Sequence, residues 1–219
     1  ESLHSKQLKD IEIIFENISG IQFAVRGRRP TSKALEPMSK YILKVIKSRQ
    51  RGNIYPYEII RMITQGYPGN EKFPKGEFEE YDIKVNSDGS QELISVKDRE
   101  YGENKGNLIF GIVNNFVKSC PNGLIRVLVL MDTTTDMGSL AEDECRRLIG
   151  AIDLASKHGL PIEWIPVSAG ARIDMESGTE NLDWIAGALK KIVEFTQSGG
   201  EINIIVSGIN VGGQIGRAS

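Results

Sequence analysis

Apolar and polar residues follow two different periods along the second half of the chain. Ile125 to Met131 is a nearly continuous apolar run, which is typical of a strand buried on both faces. Ile162 to Val167 and Ile202 to Val206 are shorter runs of the same kind. Between these runs, residues 139–158 and 181–197 place apolar side chains at helical spacing. Alternating strands and helices at this spacing predict right-handed crossovers and a largely parallel sheet.

We therefore expect parallel strands throughout residues 107–213, starting with the strand candidate Leu108 to Asn114. The first half of the chain carries weaker patterns. Residues 34–48 predict an amphipathic helix, and Tyr57 to Gln65 predicts a second, shorter one. Glycine, proline and charged residues between 66 and 107 favour a long loop or hairpin. The short strand candidates within it are Glu79 to Val85 and Glu92 to Val96.

Length and composition are those of a globular α/β protein. The chain has 219 residues, of which 40% are hydrophobic and 26% charged, so we predict a folded body at 51–219 and an N-terminal extension or linker at 1–50. A formal net charge of −2 argues against a nucleic-acid-binding domain. No signal peptide or apolar run of about 18 residues occurs, which favours a cytoplasmic protein without a membrane partner.

Residue types that commonly build metal or nucleophilic sites are scarce. Cys120 and Cys145 are the only cysteines and form no C-x-x-C pair, so no zinc site or other metal site is expected. The only histidines are His4 and His158, neither of which is placed for a catalytic triad. A site made of backbone amides remains, and such a site suits the stabilisation of an enolate beside a thioester.

Small residues follow two of the predicted strands. They form the segments Val167 to Ile173 (VSAGARI) and Ser207 to Gly213 (SGINVGG). Ligands of open α/β sheets gather at the carboxyl ends of strands, and small residues let a ligand approach the backbone. Backbone N–H groups in such turns can bind an oxyanion. Tight turns have the same composition, so a structural interpretation stands beside the functional one.

Several motifs in this order resemble the carboxyltransferase domain of biotin-dependent acyl-CoA carboxylases. The similarity is strongest to long multidomain bacterial chains of the acetyl-CoA carboxylase type, and it runs from about residue 35 to residue 214. The motifs that carry it are 52–60 (GNIYPYEII), 78–82 (FEEYD), 140–147 (LAEDECRR), 168–173 (SAGARI), 177–185 (SGTENLDWI), 193–203 (VEFTQSGGEIN) and 208–213 (GINVGG).

This resemblance implies an α/β fold of the crotonase-like (ClpP/crotonase) type, a β-β-α superhelix, with the chain forming an incomplete N-terminal lobe. It implies the transfer of CO₂ from carboxybiotin to the α-carbon of an acyl-CoA, giving a malonyl-CoA-type product. In that reaction carboxybiotin releases CO₂, the biotin anion removes the α-proton, and the thioester enolate attacks CO₂. No side-chain base is obligatory.

The resemblance also assigns residues and partners. The amides of Gly170, Ala171, Gly212 and Gly213 would supply the oxyanion donors. Ser168, Ala169 and Arg172 would bind substrate, with Arg172 holding a CoA phosphate or bracing the loop. Acyl-CoA is the substrate, and biotin is the cofactor, carried on a separate biotin carboxyl carrier domain. The further partners are a biotin carboxylase domain, a C-terminal carboxyltransferase lobe that completes the site, and other copies of the protein in a homo-oligomer.

Two alternatives stay open at this point. One is another crotonase-fold enzyme acting on acyl-CoA, either a decarboxylase or a hydratase, for which Glu176 and Glu180 are the nearest carboxylates. The other is a non-catalytic assembly domain that docks through residues 1–50. Residues 215–219 depart from the pattern of the family, which leaves the continuation past Gln214 open.

Overall fold

The computed structural model of the chain describes residues 10–16, 22–28, 37–67, 70–173 and 179–210. The chain divides into two compact units, one from Glu1 to Met38 and one from Ser39 to Ser219. In the first unit, strands β1 (Asp10–Glu16) and β2 (Gln22–Arg28) pair antiparallel, with Ile13 opposite Val25.

The second unit is built around a mixed seven-stranded sheet with the order β3-β4-β6-β7-β8-β9, in which β5 pairs with β4 beside this path. Its strands are β3 (Gln65–Tyr67), β4 (Asn70–Val85), β5 (Gln91–Ser95), β6 (Leu108–Val117), β7 (Cys120–Met131), β8 (Ile162–Ile165) and β9 (Ile202–Ile204). Its helices are α1 (Lys40–Gln50), α2 (Pro56–Thr64), α3 (Glu142–His158) and α4 (Glu180–Gln197).

Strands β7, β8 and β9 are parallel and are joined by α3 and α4, which confirms the predicted crossovers. The prediction of parallel strands throughout 107–213 was wrong for β6, which pairs antiparallel with β7. Only Lys118 and Ser119 separate these two strands. Two residues are enough for a hairpin, whereas a parallel connection needs a crossover of a dozen or more.

Strand β4 is much longer than the short strands predicted within 66–107. Its middle part, from Lys75 to Tyr81, pairs with β6, and its end, from Tyr81 to Val85, pairs with β5. The partner strands supply the hydrogen bonds that extend β4, and local composition does not report them.

Two helices begin a few residues later in the structure than the sequence predicted. Ser39 caps α1 by accepting a hydrogen bond from the Ile42 N–H, at 3.3 Å, and α3 begins at Glu142.

Helices cover both faces of the sheet, so the second unit has three layers. Residues Ile60, Val113 and Leu128 belong to the core between the sheet and helices α1 and α2. Residues Val129 and Ile152 belong to the core on the opposite face, under α3 and α4. Successive β7 residues therefore enter different cores, which explains the continuous apolar run. No helix in the described part of the chain is long and apolar enough to cross a membrane.

A buried ionic network ties β4 to α3 and to the turn that follows β5. Arg99 pairs with both Glu80 and Asp82, and its Nη1 lies 2.6 Å from Asp82 Oδ2. The Arg147 Nε of α3 lies 2.9 Å from the other Asp82 oxygen, and the Tyr57 hydroxyl donates to Glu80 at 3.0 Å. Burial raises the pKa of Glu80 despite its bonds to Arg99 and Tyr57. Burial alone would also raise the pKa of Asp82, but Arg99 and Arg147 hold that pKa below its ordinary value.

The two cysteines should react very differently. Cys145 is fully buried on α3, and burial together with the charge of Glu144 raises its pKa to about 12. Cys120 begins β7 and is partly exposed. Since the thiolate is the reactive form, iodoacetamide should modify Cys120 in the native protein and leave Cys145 unmodified, as measured by peptide mass spectrometry. Both should react in denaturant, and native labelling of Cys145 at a similar rate would contradict the buried position.

Candidate functional site

Three chain segments meet at the carboxyl ends of β7, β8 and β9, because parallel strands end at the same edge of a sheet. Backbone hydrogen bonds join them. The Leu140 N–H donates to the Gly170 carbonyl and the Arg172 N–H donates to the Leu140 carbonyl, both at 2.8 Å. The Ser168 N–H donates to the Ile209 carbonyl at 3.0 Å. The two small-residue segments of the sequence prediction are therefore neighbours, at least as far as Asn210, where the description ends.

A hydrogen bond within the turn from Ser168 to Arg172 stabilises its conformation. Gly170 has a φ of 93°, a conformation that glycine adopts without steric cost. Its N–H donates to the Ser168 hydroxyl at 3.0 Å, and Ser168 is only 1% exposed. The Gly170 N–H, one of the predicted oxyanion donors, is therefore already hydrogen-bonded to a buried side chain. Ala169, between these two residues, is exposed.

Two N–H groups of this turn, those of Ala169 and Ala171, donate to no acceptor within the described part of the chain. Of these two, only the Ala171 N–H is a predicted oxyanion donor. Ala171 forms a parallel bridge with Leu140, and in this bridge the peptide groups on either side of Ala171 face Leu140. The N–H of Ala171 itself therefore faces away from Leu140. Within the described part of the chain it donates to no backbone or side-chain acceptor. The Ala171 N–H can donate a hydrogen bond to an oxyanion without breaking an existing one.

Arg172 joins this turn to its surroundings. Its Nη1 lies 3.4 Å from Asp136 Oδ2, in the segment that follows β7, and its carbonyl accepts a hydrogen bond from the Asn181 side chain at 2.9 Å. The side chain of Arg172 is 40% exposed. Both roles given to Arg172, bracing the loop and holding a CoA phosphate, stay predictions. Of the other predicted residues, Gly212, Gly213 and Glu176 lie outside the described residues.

The segment after β7 borders the site, and the sequence analysis did not identify it. Asp136, Met137 and Gly138 have φ values of 42°, 51° and 69°. A non-glycine residue in this left-handed region costs about 1–3 kcal/mol and persists only where its surroundings impose it. Gly138 packs so tightly that a Cβ there would clash with the Val167 carbonyl oxygen. The only signal in the sequence was an Asp-Met-Gly triplet shortly after an apolar strand.

The end of α1 and the turn that follows it also lie next to the candidate site. The Lys47 ammonium donates to the Thr134 carbonyl at 2.6 Å, and Arg51 donates to the Thr133 carbonyl. Asn53 lies against Gly208, where an added Cβ would clash with its side-chain oxygen. These contacts place α1 within the second unit, although its sequence falls in the segment predicted to be an extension.

The chemistry available at this edge is the binding of an oxyanion. The segments 51–54, 132–141, 166–173 and 205–210 contain no histidine or cysteine. Among the described residues, no group of three His, Cys, Asp or Glu side chains is placed to hold a metal ion. Within the described residues, this edge offers a ligand the free backbone N–H groups of Ala169 and Ala171, small side chains around them and one arginine.

No protein-family model and no curated protein matches this chain. Among solved structures, the chain is similar to the β subunit of geranyl-CoA carboxylase from P. aeruginosa, with a TM-score of 0.47 and 16% sequence identity. The match covers 71% of this chain and 26% of that subunit, so the chain spans only a minor part of the protein it matches. A likeness at this level carries neither fold nor function from that protein to this one.

Proposed function

We propose that this chain is the acyl-CoA-binding part of a biotin-dependent carboxyltransferase, which transfers CO₂ from carboxybiotin to the α-carbon of an acyl-CoA. The proposal includes the acetyl-CoA carboxylase type, the position of the chain as the N-terminal lobe, and a crotonase-like superhelix for the whole domain. Its partners would be the biotin carboxyl carrier domain, the biotin carboxylase domain, the C-terminal lobe and further copies in a homo-oligomer. Its location would be cytoplasmic.

The observation that carries the proposal is the free N–H of Ala171 at the carboxyl end of β8. It lies within the motif Ser168 to Ile173, one of those that resemble the carboxyltransferase family. Abstraction of an α-proton next to a thioester places negative charge on the carbonyl oxygen. A fixed N–H aimed at that oxygen stabilises the transition state without a side-chain base. The absence of histidine and cysteine from the neighbouring segments agrees with such a reaction.

In this proposal each residue of the chain has a limited task. Ala171 donates to the thioester oxygen, and Ala169 and Gly170 leave room for the thioester to approach. The Ser168 hydroxyl holds Gly170 in place, and Arg172 braces the turn through Asp136. Gly212 and Gly213 would supply the remaining donors. Carboxybiotin, when bound, supplies the CO₂ and the base, and the described residues are assigned no contact with it.

The proposal predicts that acetyl-CoA binds this chain and stabilises it. A ligand that binds only the folded state at about 100 times its Kd adds about 2.7 kcal/mol to the free energy of unfolding. We therefore expect acetyl-CoA to raise the melting temperature. The complete natural protein should carboxylate acetyl-CoA when it is given ATP, bicarbonate and its biotinylated carrier. Hydration of an enoyl-CoA without biotin, or the absence of both binding and carboxylation, would show that the proposal is wrong.

A further inference from the structure

A groove lies between α1, α2 and the turn that follows β5, and the candidate site does not use it. Its volume is about 730 Å³. One face of α1, from Tyr41 to Arg49, forms the first wall, because residues three and four apart lie on the same side of a helix. Glu58 and Arg61 of α2 and Glu100 and Tyr101 of the turn complete the lining. The groove is therefore built from three segments that the proposed reaction leaves without a task.

Contacts among the lining side chains fix the shape of this groove. The Arg61 guanidinium carbon lies 4.7 Å from the centre of the Tyr41 ring and 5.8 Å from the centre of the Tyr101 ring. The Glu58 carboxylate accepts hydrogen bonds from the Tyr41 hydroxyl at 2.5 Å and from Arg61 at 3.2 Å. The charge of Arg61 is thus balanced inside the groove. Because these side chains already hold one another, a partner that binds here pays little to order them.

Two further charges of the groove are free. Arg49 on α1 and Glu100 on the turn are exposed, and neither makes an ion pair or a side-chain hydrogen bond with another described residue. The same wall of α1 also exposes two large apolar side chains, Ile42 at 44% and Ile46 at 36%. The groove therefore offers a partner one cation, one anion and an apolar surface.

Such a combination is complementary to a copy of itself. In an interface with twofold symmetry, each contact occurs twice, once in each direction. Arg49 of one copy can pair with Glu100 of the second copy, and Glu100 of the first with Arg49 of the second. A purely anionic partner would leave Glu100 unpaired, and a purely cationic one would leave Arg49 unpaired. A second copy satisfies both charges and covers the exposed isoleucines.

We propose that this groove is the contact surface between two copies of the chain, related by a twofold axis, with Arg49 of each copy paired with Glu100 of the other. Ile42 and Ile46 pack against the second copy and lose their exposure to water. The proposal names a surface for the homo-oligomer, and it needs no acyl-CoA chemistry to be correct.

Charge reversal tests this pairing. Arg49→Glu and Glu100→Arg each place like charges opposite one another twice in a homodimer. Lys40→Glu is the matched control, because it makes the same change of charge on an exposed residue of α1 that does not line the groove. Sedimentation equilibrium gives the dissociation constant of the dimer for each protein. All three changes are on exposed side chains, so the melting temperatures should stay close to wild type.

Wild type should form a dimer, and each reversal in the groove should raise its dissociation constant at least about tenfold, since like charges across an interface are strongly unfavourable. Lys40→Glu should leave the constant unchanged. An equimolar mixture of Arg49→Glu and Glu100→Arg should associate as strongly as wild type, because both pairs then join opposite charges again. A monomeric wild type, or a mixture that associates no better than its components, would overturn the proposal. Acetyl-CoA binding, measured on the same samples, reports on the proposed function separately.

Discussion

Replacement of Asp82 by asparagine is expected to lower the free energy of unfolding by about 3–5 kcal/mol, the usual result of removing one partner from a buried ion pair. The Asp82 carboxylate receives hydrogen bonds from Arg99 at 2.6 Å and from Arg147 at 2.9 Å. Asparagine keeps the size of the side chain but removes its charge. Arg147 then keeps only the exposed carboxylate of Asp143, at 3.9 Å, and Arg99 keeps only Glu80. Chemical denaturation of both proteins at neutral pH measures the loss.

The size of this loss should depend on pH in a defined direction. The pKa of Asp82 in the folded protein is lowered, so its contribution is present above the unfolded pKa of about 4 and disappears as the pH falls through the folded value. The difference between wild type and Asp82→Asn should therefore be complete at neutral pH and shrink below about pH 4. The control Asp98→Asn changes an exposed carboxylate in the turn after β5 and should stay within about 0.5 kcal/mol of wild type. An equal loss in both variants would mean that the network does not stabilise the fold.

Replacement of Ala171 by proline should reduce carboxyl transfer by a factor on the order of 10²–10³, the usual effect of removing one oxyanion donor. Proline has no N–H, and the Ala171 N–H makes no hydrogen bond within the described fold, so no structural bond is lost. The bridge to Leu140 uses the Gly170 carbonyl and the Arg172 N–H, and both remain. The preceding residue is glycine, which has no Cβ to clash with the proline ring.

The assay for this variant needs the complete natural protein, in which carboxylation of biotin and carboxyl transfer to acetyl-CoA are measured separately. ATP-dependent carboxylation of biotin should be retained. Ala171→Ser, which keeps the N–H, should transfer carboxyl groups at a rate close to wild type. If proline leaves the transfer rate unchanged in a protein with an unchanged melting temperature, the Ala171 amide is not an oxyanion donor.

The elements that the sequence predicted best are those whose pattern is local. The apolar run of β7 and the helical spacing in α3 and α4 are repeated within a few residues, and a buried strand or an amphipathic helix needs nothing more to be recognised. The same pattern placed the small residues from Ser168 to Arg172 at the carboxyl end of a parallel strand. The length of β4 was underestimated because its hydrogen-bond partners lie on β5 and β6, outside its own local pattern.

What the sequence by itself determined is the parallel arrangement of β7, β8 and β9, and with it the edge at which the small-residue segments meet. Only the tertiary structure decided which predicted oxyanion donors are free. The hydrogen bond from Gly170 to Ser168 and the direction of the Ala171 N–H depend on dihedral angles and on the bridge to Leu140. The tertiary structure also decided the ionic network, in which Asp82 and Arg147 are 65 residues apart. Such pairs form because packing brings distant segments into contact, and no period in the sequence encodes that contact.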